Sequence, residues 1–335
     1  MNWTDERVSR LLELWHSGAS ALSIAEALGG VSVAAVEGKI YRLGLGRRSN
    51  SSGGTDLLSR DTASEPQSQD KIAQKWSTPD TSVGRFWDDL PKGEVQQASL
   101  PLFHTTESVV VRDIAGAMEI STTHCDVYDE ELVYFFYGRP GYRPSTSKLM
   151  TNHIEYYPVV LVITPDAVKS IRRMLPFDSG GYHTGRFEDF HHPKMKKEAF
   201  HIPPPIGNLE SVISFFFGSS DQYVRAAGRT DLTPPPTKFE LSTFYRMVHG
   251  VQKSQSDDRR LTCEVQSDAP FPLNGENVIA VIAPAVFEDE PYFTACLDKL
   301  GCQFKGYEAD LANSSEMHAL ISHLVREALK EWTQA

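Results

Sequence analysis

Hydrophobic positions along this chain fall into two blocks that differ in their spacing. In residues 3–46, apolar side chains recur at intervals of three and four, the period of helices that bury one face. The spacing predicts three short helices, over residues 3–18, 20–28 and 32–43. Three short helices joined by tight turns predict a small all-α helix-turn-helix domain, a motif whose third helix enters the major groove of DNA.

The second block, residues 86–335, alternates apolar runs of strand type with amphipathic helical runs. The predicted strands are Leu100–Thr105, Leu132–Tyr137, Val159–Thr164, Leu261–Ser267 and Val278–Pro284. The predicted helices are Glu107–Ala117, Pro165–Met174, Ile206–Phe217 and Ser314–Glu331. Strands and helices in mixed order, without a regular strand–helix–strand repeat, predict an α+β domain.

Between the two blocks, residues 47–85 are dominated by Ser, Thr, Asp, Gln and Gly, and apolar residues nearly vanish. Such a segment cannot bury enough apolar surface to offset the entropy of ordering it, which predicts a flexible linker. The chain is therefore predicted to comprise a helix-turn-helix domain (1–46), a linker (47–85) and an α+β domain (86–335).

Charge is distributed unevenly between the blocks. The formal net charge is −11, yet residues 1–48 hold six Lys or Arg against five Asp or Glu, so the remainder is strongly acidic. A protein that grips long stretches of nucleic acid usually presents a broad basic surface. We therefore expect modest, salt-dependent DNA binding through residues 1–48, and the acidic remainder favours a partner protein over wide DNA contact.

Composition also bears on location and on metal binding. The chain has no leading apolar run and no stretch of 18 apolar residues, so we expect a cytoplasmic protein with neither signal peptide nor membrane span. Its four cysteines form no Cys-x-x-Cys pair and are expected to be reduced. Two of the four histidines between 183 and 201 are adjacent, an arrangement that rarely serves one ion, so no metal is expected.

The first block carries a distinctive set of residues. It reads Trp3-Thr4-Asp5-Glu6-Arg7 at the start of the first helix, and Gly38-Lys39 followed by Arg42-Leu43-Gly44-Leu45 in the third. Residues 3–46 closely resemble the N-terminal domain of the GcrA family of bacterial cell-cycle regulators. The resemblance implies a bacterial protein that contacts DNA, with transcription machinery as a further possible partner.

Five residues are expected to contact DNA: Ser32, Lys39, Arg42, Arg47 and Arg48. The family normally carries Thr-Arg-Asn at the start of the third helix, where this chain has Ser32-Val33-Ala34. Arg and Asn are the side chains that read guanine and adenine edges, so their loss weakens the case for base readout, whereas the four cations remain available for phosphates. The alternative is a helical protein-docking module descended from a DNA binder.

Three segments of the second block carry candidate chemistry. The first is an apolar strand that ends in His104-Thr105-Thr106. The second is an aromatic strand that leads into a turn with two arginines, residues 132–143, and the third is a strand with one carboxylate among apolar neighbours, Glu264. In this order the segments loosely resemble the ADP-ribosyltransferases, most nearly the DarT-type enzymes that modify DNA.

That resemblance implies a site for NAD, which the enzyme would consume as its substrate. His104 and Thr106 would contact the nicotinamide ribose, and one of Tyr134, Tyr137 or Tyr142 would stack on the nicotinamide. Arg139 or Arg143 would meet the pyrophosphate. Glu264 would be the catalytic carboxylate, together with His104, while Glu198 is the competing carboxylate.

The sequence thus favours an NAD-dependent ADP-ribosyltransferase that modifies a nucleic acid or a protein and is localised by its helix-turn-helix. A defence or toxin-like role follows by analogy only. Two alternatives stay open: a non-enzymatic DNA-binding regulator whose large domain binds a ligand or partner protein, and a catalytically inactive transferase fold that retains only binding.

Overall fold

A computed structural model describes residues 5–17, 19–29, 31, 35–36, 39–40, 84–92, 98–141, 153–250, 258–309 and 317–332. The chain divides into two compact units, Met1–Ala73 and Gln74–Ala335. The smaller unit contains the predicted helical block, and the larger unit contains the predicted α+β block.

In the smaller unit, the structure confirms the first two predicted helices, α1 (Asp5–His16) and α2 (Ala21–Leu28). Ser20 caps α2 by accepting a hydrogen bond from the Ser23 amide at 3.1 Å. Gly29 ends the helix with φ of +60°, a conformation that glycine adopts without strain.

The third predicted helix is described only at residues 35–36 and 39–40, which are helical. Leu11, Ile24, Val36 and Ile40 form the buried centre of this unit, as helical spacing predicts. The predicted DNA contacts Ser32, Arg42, Arg47 and Arg48 lie outside the described residues, whereas Lys39 is helical and half-buried.

The larger unit is built on one mixed sheet. Its strands, together with those of a separate two-stranded sheet formed by β2 and β8, are β1 (Leu102–Glu107), β2 (Glu119–Ile120), β3 (Thr123–Cys125), β4 (Glu130–Tyr137), β5 (Pro158–Ile163), β6 (Arg173–Leu175), β7 (Glu264–Ser267), β8 (Phe271–Pro272), β9 (Val278–Pro284) and β10 (Gln303–Tyr307). The strand order is β10-β9-β5-β1-β4-β7-β6, with β3 added beside β4. Among these ladders only β9 and β10 run parallel.

The α-helices of the larger unit within the described residues are α3 (Arg85–Asp89), α4 (Ser108–Ala117), α5 (Ser179–His183), α6 (Asn208–Phe216), α7 (Ser220–Val224), α8 (Phe239–His249), α9 (Pro291–Leu300) and α10 (Met317–Trp332). The mixture of strands and helices confirms the α+β class. Helix α3 belongs to this unit because the Phe86 ring is fully buried and stacks on Phe216, with 5.9 Å between ring centroids.

Strand register assigns side chains to the two faces of the sheet. Phe136 is paired with Phe103 on one side and with Glu264 on the other, so these three side chains share one face, here called the Glu264 face. Because side chains alternate along a strand, His104 points to the opposite face. There its imidazole lies 6.0 Å from the Phe135 ring, centroid to centroid.

Helices α4 and α9 cover that opposite face, here called the helix-covered face. Val111 and Ile114 of α4 and Phe293 of α9 line a small apolar cavity together with Val159 and Leu161 of β5. The alternation of β5 places these two residues beside His104 and Thr106, because Leu161 pairs with His104 and Val159 with Thr106. An apolar layer therefore lies on the side that carries His104, as part of a core that also includes Phe103 on the Glu264 face.

One secondary-structure prediction is wrong. The segment Pro165–Met174 is not a helix: it forms a 3-10 turn at Pro165–Ala167 and then enters β6. Arg173 and Met174 pair with Gln266 and Val265 of β7, and this long-range ladder outweighs the local helical pattern. Helices α8 and α9 and strand β10 are further elements that the sequence analysis did not assign.

Candidate functional site

Glu264 lies at the start of β7 and is completely buried. Its Oε1 accepts hydrogen bonds from the Ser179 hydroxyl at 2.7 Å and from Gln266 Nε2 at 2.5 Å, and its Oε2 accepts one from the Ser179 amide at 3.0 Å. Three donors thus converge on one carboxyl group, an arrangement that suits the charged form.

The first turn of α5 positions Ser179, which is the first residue of that helix. Asp178 caps this helix by accepting a hydrogen bond from the Gly180 amide at 3.0 Å, and it forms a buried ion pair with Arg259 Nη1 at 3.1 Å. A Cβ atom at Gly181 would lie 2.6 Å from the Phe187 ring, so only glycine allows this close approach. The Asp178-Ser179-Gly180-Gly181 sequence therefore builds a rigid turn directly against Glu264.

Burial raises the pKa of Glu264 to about 8, and the nearby charge of Asp178 adds to the rise, while the bonds from Ser179 and Gln266 oppose it. The carboxyl group therefore holds its proton near neutral pH in this conformation and ionises on the alkaline side. A perturbed carboxyl group with a defined set of partners marks a candidate functional site, although buried structural networks produce similar shifts.

A chain of hydrogen bonds links Glu264 to the protein surface. Gln266 Oε1 accepts from Arg173 Nη1 at 2.8 Å, which orients the amide so that its Nε2 faces Glu264. Arg173 Nη2 donates to Glu130 at 2.6 Å, and Arg172 Nε donates to the same carboxylate at 2.9 Å. The hydrogen bonds from Arg172 and Arg173 lower the pKa of Glu130 to about 2, so this end of the chain stays ionised.

Tyr128 lies on the turn between β3 and β4 and covers the same cluster. Its ring is flanked by Arg173, whose Cζ is 4.0 Å from the ring centroid, and by Lys197, whose Nζ is 4.7 Å away. Burial raises the pKa of Tyr128, and the Glu264 charge adds to that rise. The nearby Ser179 side chain opposes this rise in the pKa of Tyr128. The buried Tyr128 hydroxyl nevertheless makes no hydrogen bond of acceptable geometry with any described residue.

Of the three tyrosines predicted to stack on a ligand, Tyr134 is the one that the structure brings to Glu264. Burial raises the pKa of Tyr134, and the Glu264 charge is the second cause. Its hydroxyl shares a 2.6 Å hydrogen bond with the Cys125 thiol. Tyr137 is fully buried, with its hydroxyl bonded to Glu210 and to the Ser99 amide, and Tyr142 lies outside the described residues.

His104 and Thr106 are not brought to the Glu264 face. His104 Nδ1 lies 2.9 Å from the Tyr134 carbonyl oxygen, so this nitrogen carries the proton and donates it. Burial lowers the pKa of His104, which keeps the imidazole neutral at physiological pH. The ladder between β1 and β4 is formed only by Leu102–Tyr137 and Phe103–Phe136, and the His104 side chain holds the strands together just beyond it.

The two arginines predicted to meet a pyrophosphate differ in what the structure shows. Arg139 is buried, and its Nη1 donates to the Tyr223 carbonyl at 3.1 Å. Burial lowers the pKa of Arg139. Its guanidinium group therefore points into the protein rather than lying on an exposed turn, and Arg143 lies outside the described residues.

Glu198, the competing carboxylate, borders the same cluster. Burial tends to raise its pKa, but the bond from Lys197 at 2.8 Å and neighbouring positive charge outweigh this and lower it. Its charge, like that of Glu264, raises the pKa of Tyr128. The two alternative carboxyl groups therefore both lie near Tyr128: Glu264 is buried and has a raised pKa, and Glu198 is partly exposed and has a lowered pKa.

Sequence reasoning missed four members of this cluster: Tyr128, Arg173, Ser179 and Gln266. One of them had a readable signal, because Gln266 is two residues from Glu264 on the same strand and must share its face. The Asp178–Gly181 segment also carried a turn signature of the Asp-Ser-Gly-Gly type. Nothing in the sequence connected Tyr128 or Arg173 with Glu264, since the tertiary fold alone brings them together.

Metal-ligating side chains and long apolar helices are two further features that bear on function. Within the part of the chain that the structure describes, no group of three or more His, Cys, Asp or Glu side chains could hold a metal ion. In that same part, no helix combines the length and the apolar character needed to cross a bilayer. The four cysteines are unpaired, and Cys302 is the one that is not fully buried.

Comparison with known proteins bears on the first part of the chain. The sequence model of the GcrA cell cycle regulator family matches residues 1–100, which supports the resemblance seen in residues 3–46. No curated protein and no solved structure matches the chain. The smaller unit is therefore similar to a regulator family, whereas the function of the larger unit has to be inferred from the geometry of its side chains.

Proposed function

We propose that this protein is an NAD-dependent ADP-ribosyltransferase whose larger domain acts on a nucleic acid or protein near the DNA to which residues 1–48 direct it. The observation that carries the proposal is topological. The three segments that resemble ADP-ribosyltransferases lie on adjacent strands, β1, β4 and β7, although long stretches of sequence separate them. The buried carboxyl of Glu264 lies at the start of β7, beside Tyr134 of the middle strand β4.

The proposed reaction needs a carboxylate in a shielded place. The bond between nicotinamide and ribose breaks, nicotinamide leaves, and a nucleophile of the acceptor attacks the ribose carbon and gives up a proton. Positive charge develops on the ribose during this exchange, and a preorganised negative charge in a site of low dielectric constant stabilises it. Glu264, held by Ser179 and Gln266, supplies that charge when it is ionised.

The other residues take roles that follow from their positions. Tyr134 provides the aromatic surface on the Glu264 face. His104 acts as a positioning residue, because its imidazole holds strand β4 through the Tyr134 carbonyl while pointing to the opposite face. Because Glu264 is fully buried, the substrate reaches it only when neighbouring side chains move.

The experiment uses the full-length protein with NAD labelled on its adenylate part, offered with single-stranded DNA, duplex DNA, RNA or protein extract. Transfer of label that Glu264→Gln abolishes and Glu198→Gln retains supports the assignment of the carboxylate. The reverse pattern assigns the role to Glu198. Absence of both transfer and nicotinamide release in the folded wild-type protein overturns the proposal. Circular dichroism and thermal unfolding verify that each variant is folded.

A second candidate function is a DNA-associated regulator whose larger domain binds a ligand or partner protein. Two observations favour it: the match of residues 1–100 to a cell cycle regulator family, and the full set of protein donors around Glu264. A regulator of this kind retains its effect on transcription when Glu264 becomes Gln, whereas a transferase loses it.

For the smaller unit we propose contact with DNA phosphates through Lys39, Arg42, Arg47 and Arg48. Each phosphate contact contributes to affinity through counterion release, so Lys39→Ala should lower the affinity for all duplex sequences alike and reduce the salt dependence by about one ion. Fluorescence anisotropy at several salt concentrations measures both effects. An unchanged affinity in the quadruple alanine variant would favour the protein-docking alternative.

A further inference from the structure

Besides Asp178 Oδ2, which forms an ion pair with Arg259, two buried polar atoms near Glu264 make no hydrogen bond of acceptable geometry with any described residue. They are the hydroxyl oxygen of Tyr128 and Nε2 of His201. Folded proteins satisfy nearly all buried polar atoms, and the exceptions often lie where a ligand binds. Two such atoms close together are therefore more informative than one alone.

The two side chains are neighbours. Their ring centroids are 6.4 Å apart, and both are influenced by the charges of Arg173 and Glu198. Tyr128 in turn adjoins Glu264 and Ser179. The unpartnered atoms thus belong to the same cluster as the candidate catalytic carboxyl group, on the side formed by the β3–β4 turn and residues 197–201.

Both cations that flank Tyr128 already have carboxylate partners. Arg173 donates to Glu130 at 2.6 Å, and Lys197 lies 2.8 Å from Glu198. The two unpartnered groups are themselves neutral, since burial raises the pKa of Tyr128 and lowers the pKa of His201. A phosphate would find both flanking cations paired, whereas an uncharged hydroxyl group can bond with a phenol, an imidazole and a carboxyl group.

We infer that Tyr128 and His201 bind the hydroxyl groups of a ribose, on the approach to Glu264. A ribose carries adjacent hydroxyls that each donate and accept, which matches a phenol oxygen and a neutral imidazole nitrogen on neighbouring rings. The choice of a nucleotide ribose rests on the proposed function. Binding of a sugar hydroxyl does not itself require turnover, so the two claims can be tested separately.

The test is isothermal titration of the full-length protein with NAD, ADP-ribose and nicotinamide. Tyr128→Phe removes only the hydroxyl and retains the ring between its two cations. We expect it to weaken binding of NAD and ADP-ribose about threefold to tenfold, the usual effect of losing one hydrogen bond to a ligand. Nicotinamide, which lacks a ribose, should bind wild type and variant equally.

Tyr292→Phe is the matched control, because this half-buried tyrosine of α9 packs beside Arg112 of α4, away from the cluster. It should leave every affinity unchanged. His201→Phe is the second variant, and it keeps the proposal testable if Tyr128→Phe does not fold. A third arm uses NAD that lacks a hydroxyl on its nicotinamide ribose: wild type should lose affinity for it, and Tyr128→Phe should no longer distinguish it from NAD.

The outcomes separate the two claims. If the wild type binds NAD and both variants bind it equally well, the ribose assignment is overturned and the transferase proposal survives. If the variants bind more weakly but the wild type transfers no label, the ribose site is supported and the transferase proposal fails. If the folded wild type binds none of the nucleotides, both claims fail.

Discussion

The two faces of the larger domain's sheet differ in chemistry although they share the same strands. On the Glu264 face, a carboxyl group is surrounded by Ser179, Gln266 and a chain of charged partners that reaches the surface. On the helix-covered face, His104 lies beside Phe135 under an apolar layer from α4 and α9. The buried polar network lies on the Glu264 face, whereas the surroundings of His104 on the helix-covered face are apolar.

This difference matters because the resemblance to ADP-ribosyltransferases places His104 and Glu264 in one site. The structure puts them on adjoining parts of the sheet but on opposite faces, and strand β4 lies between them: His104 bonds its Tyr134 carbonyl, and Glu264 pairs with its Phe136. Order along the sequence therefore shows which strands are neighbours, and register shows which side chains can meet. The following experiments measure how separate the two faces are.

The largest effect is expected on the helix-covered face. Phe135→Ala removes a fully buried ring that also contacts Phe271, with 5.3 Å between their centroids. We expect the free energy of unfolding to fall by about 3–5 kcal/mol because a cavity remains. Urea denaturation measures it. A loss below about 1 kcal/mol would mean that this face is not the core.

On the Glu264 face, Glu264→Ala should lower the free energy of unfolding by about 3 kcal/mol. Three donors, from Ser179 and Gln266, would lose their acceptor inside the protein. Glu264→Gln should cost less, since its amide oxygen still accepts while its nitrogen faces a donor. Equal stability of the alanine variant and the wild type, again by urea denaturation, would show that the network is unimportant for folding.

The pH dependence of stability should report the same carboxyl group. Its pKa is about 8 in the folded protein against an ordinary value of 4.5. Between these values the unfolded chain has released a proton that the folded protein still holds. The Glu264 contribution is therefore fully present below pH 4.5, falls by at most about 1.4 kcal/mol per pH unit as pH rises, and is lost at about pH 8. The free energy of unfolding is measured against pH for the wild type and for Glu264→Gln, and the difference between the two curves isolates the contribution of Glu264. A difference that does not change with pH would contradict the prediction.

Two adjacent arginines offer a smaller, matched comparison. Arg173 is 11% exposed and bonds both Gln266 and Glu130, whereas Arg172 is 48% exposed and bonds Glu130 alone. Arg173→Ala should destabilise the protein by about 2 kcal/mol, and Arg172→Ala by about 0.5 kcal/mol, because an exposed ion pair contributes little. Thermal unfolding distinguishes the two. Equal effects would mean that the link to Gln266 adds nothing.

A small effect on stability should also come from His104→Leu. It removes one hydrogen bond to the Tyr134 carbonyl, with an expected loss of about 1 kcal/mol. Because His104 faces away from Glu264, its replacement should leave NAD affinity within about threefold of the wild type, a difference equivalent to one weak contact. A loss of affinity beyond tenfold without a loss of stability would show that the imidazole does reach the ligand.

The predictability of the smaller unit from its sequence has a local cause. Helix periodicity, the Ser20 cap and the Gly29 end are all encoded within a few residues, and the structure confirms α1 and α2 with shifts of only a residue or two. The family match over residues 1–100 includes this helical block. Short helices joined by short turns depend little on distant parts of the chain.

In the larger unit, the apolar runs that predict β4, β5 and β9 are confirmed because strands buried at the centre of a sheet carry strong local signals. The edge strand β6 was mistaken for a helix because its identity depends on pairing with β7, about 90 residues away in the chain. Glu264 was identified as a candidate from its sequence context, but its burial, its raised pKa and its partners came from other segments.

By itself, the sequence determined the two-block organisation, the helix-turn-helix pattern, the α+β class and the strands that carry His104, Tyr134 and Glu264. The tertiary structure alone decided that Glu264 meets Ser179 and Tyr128, that Tyr134 rather than Tyr137 lies beside it, and that His104 faces the other way. The physical reason is that periodicity and capping act between near neighbours, whereas burial, hydrogen-bond partners and pKa depend on register and on segments that meet only after folding.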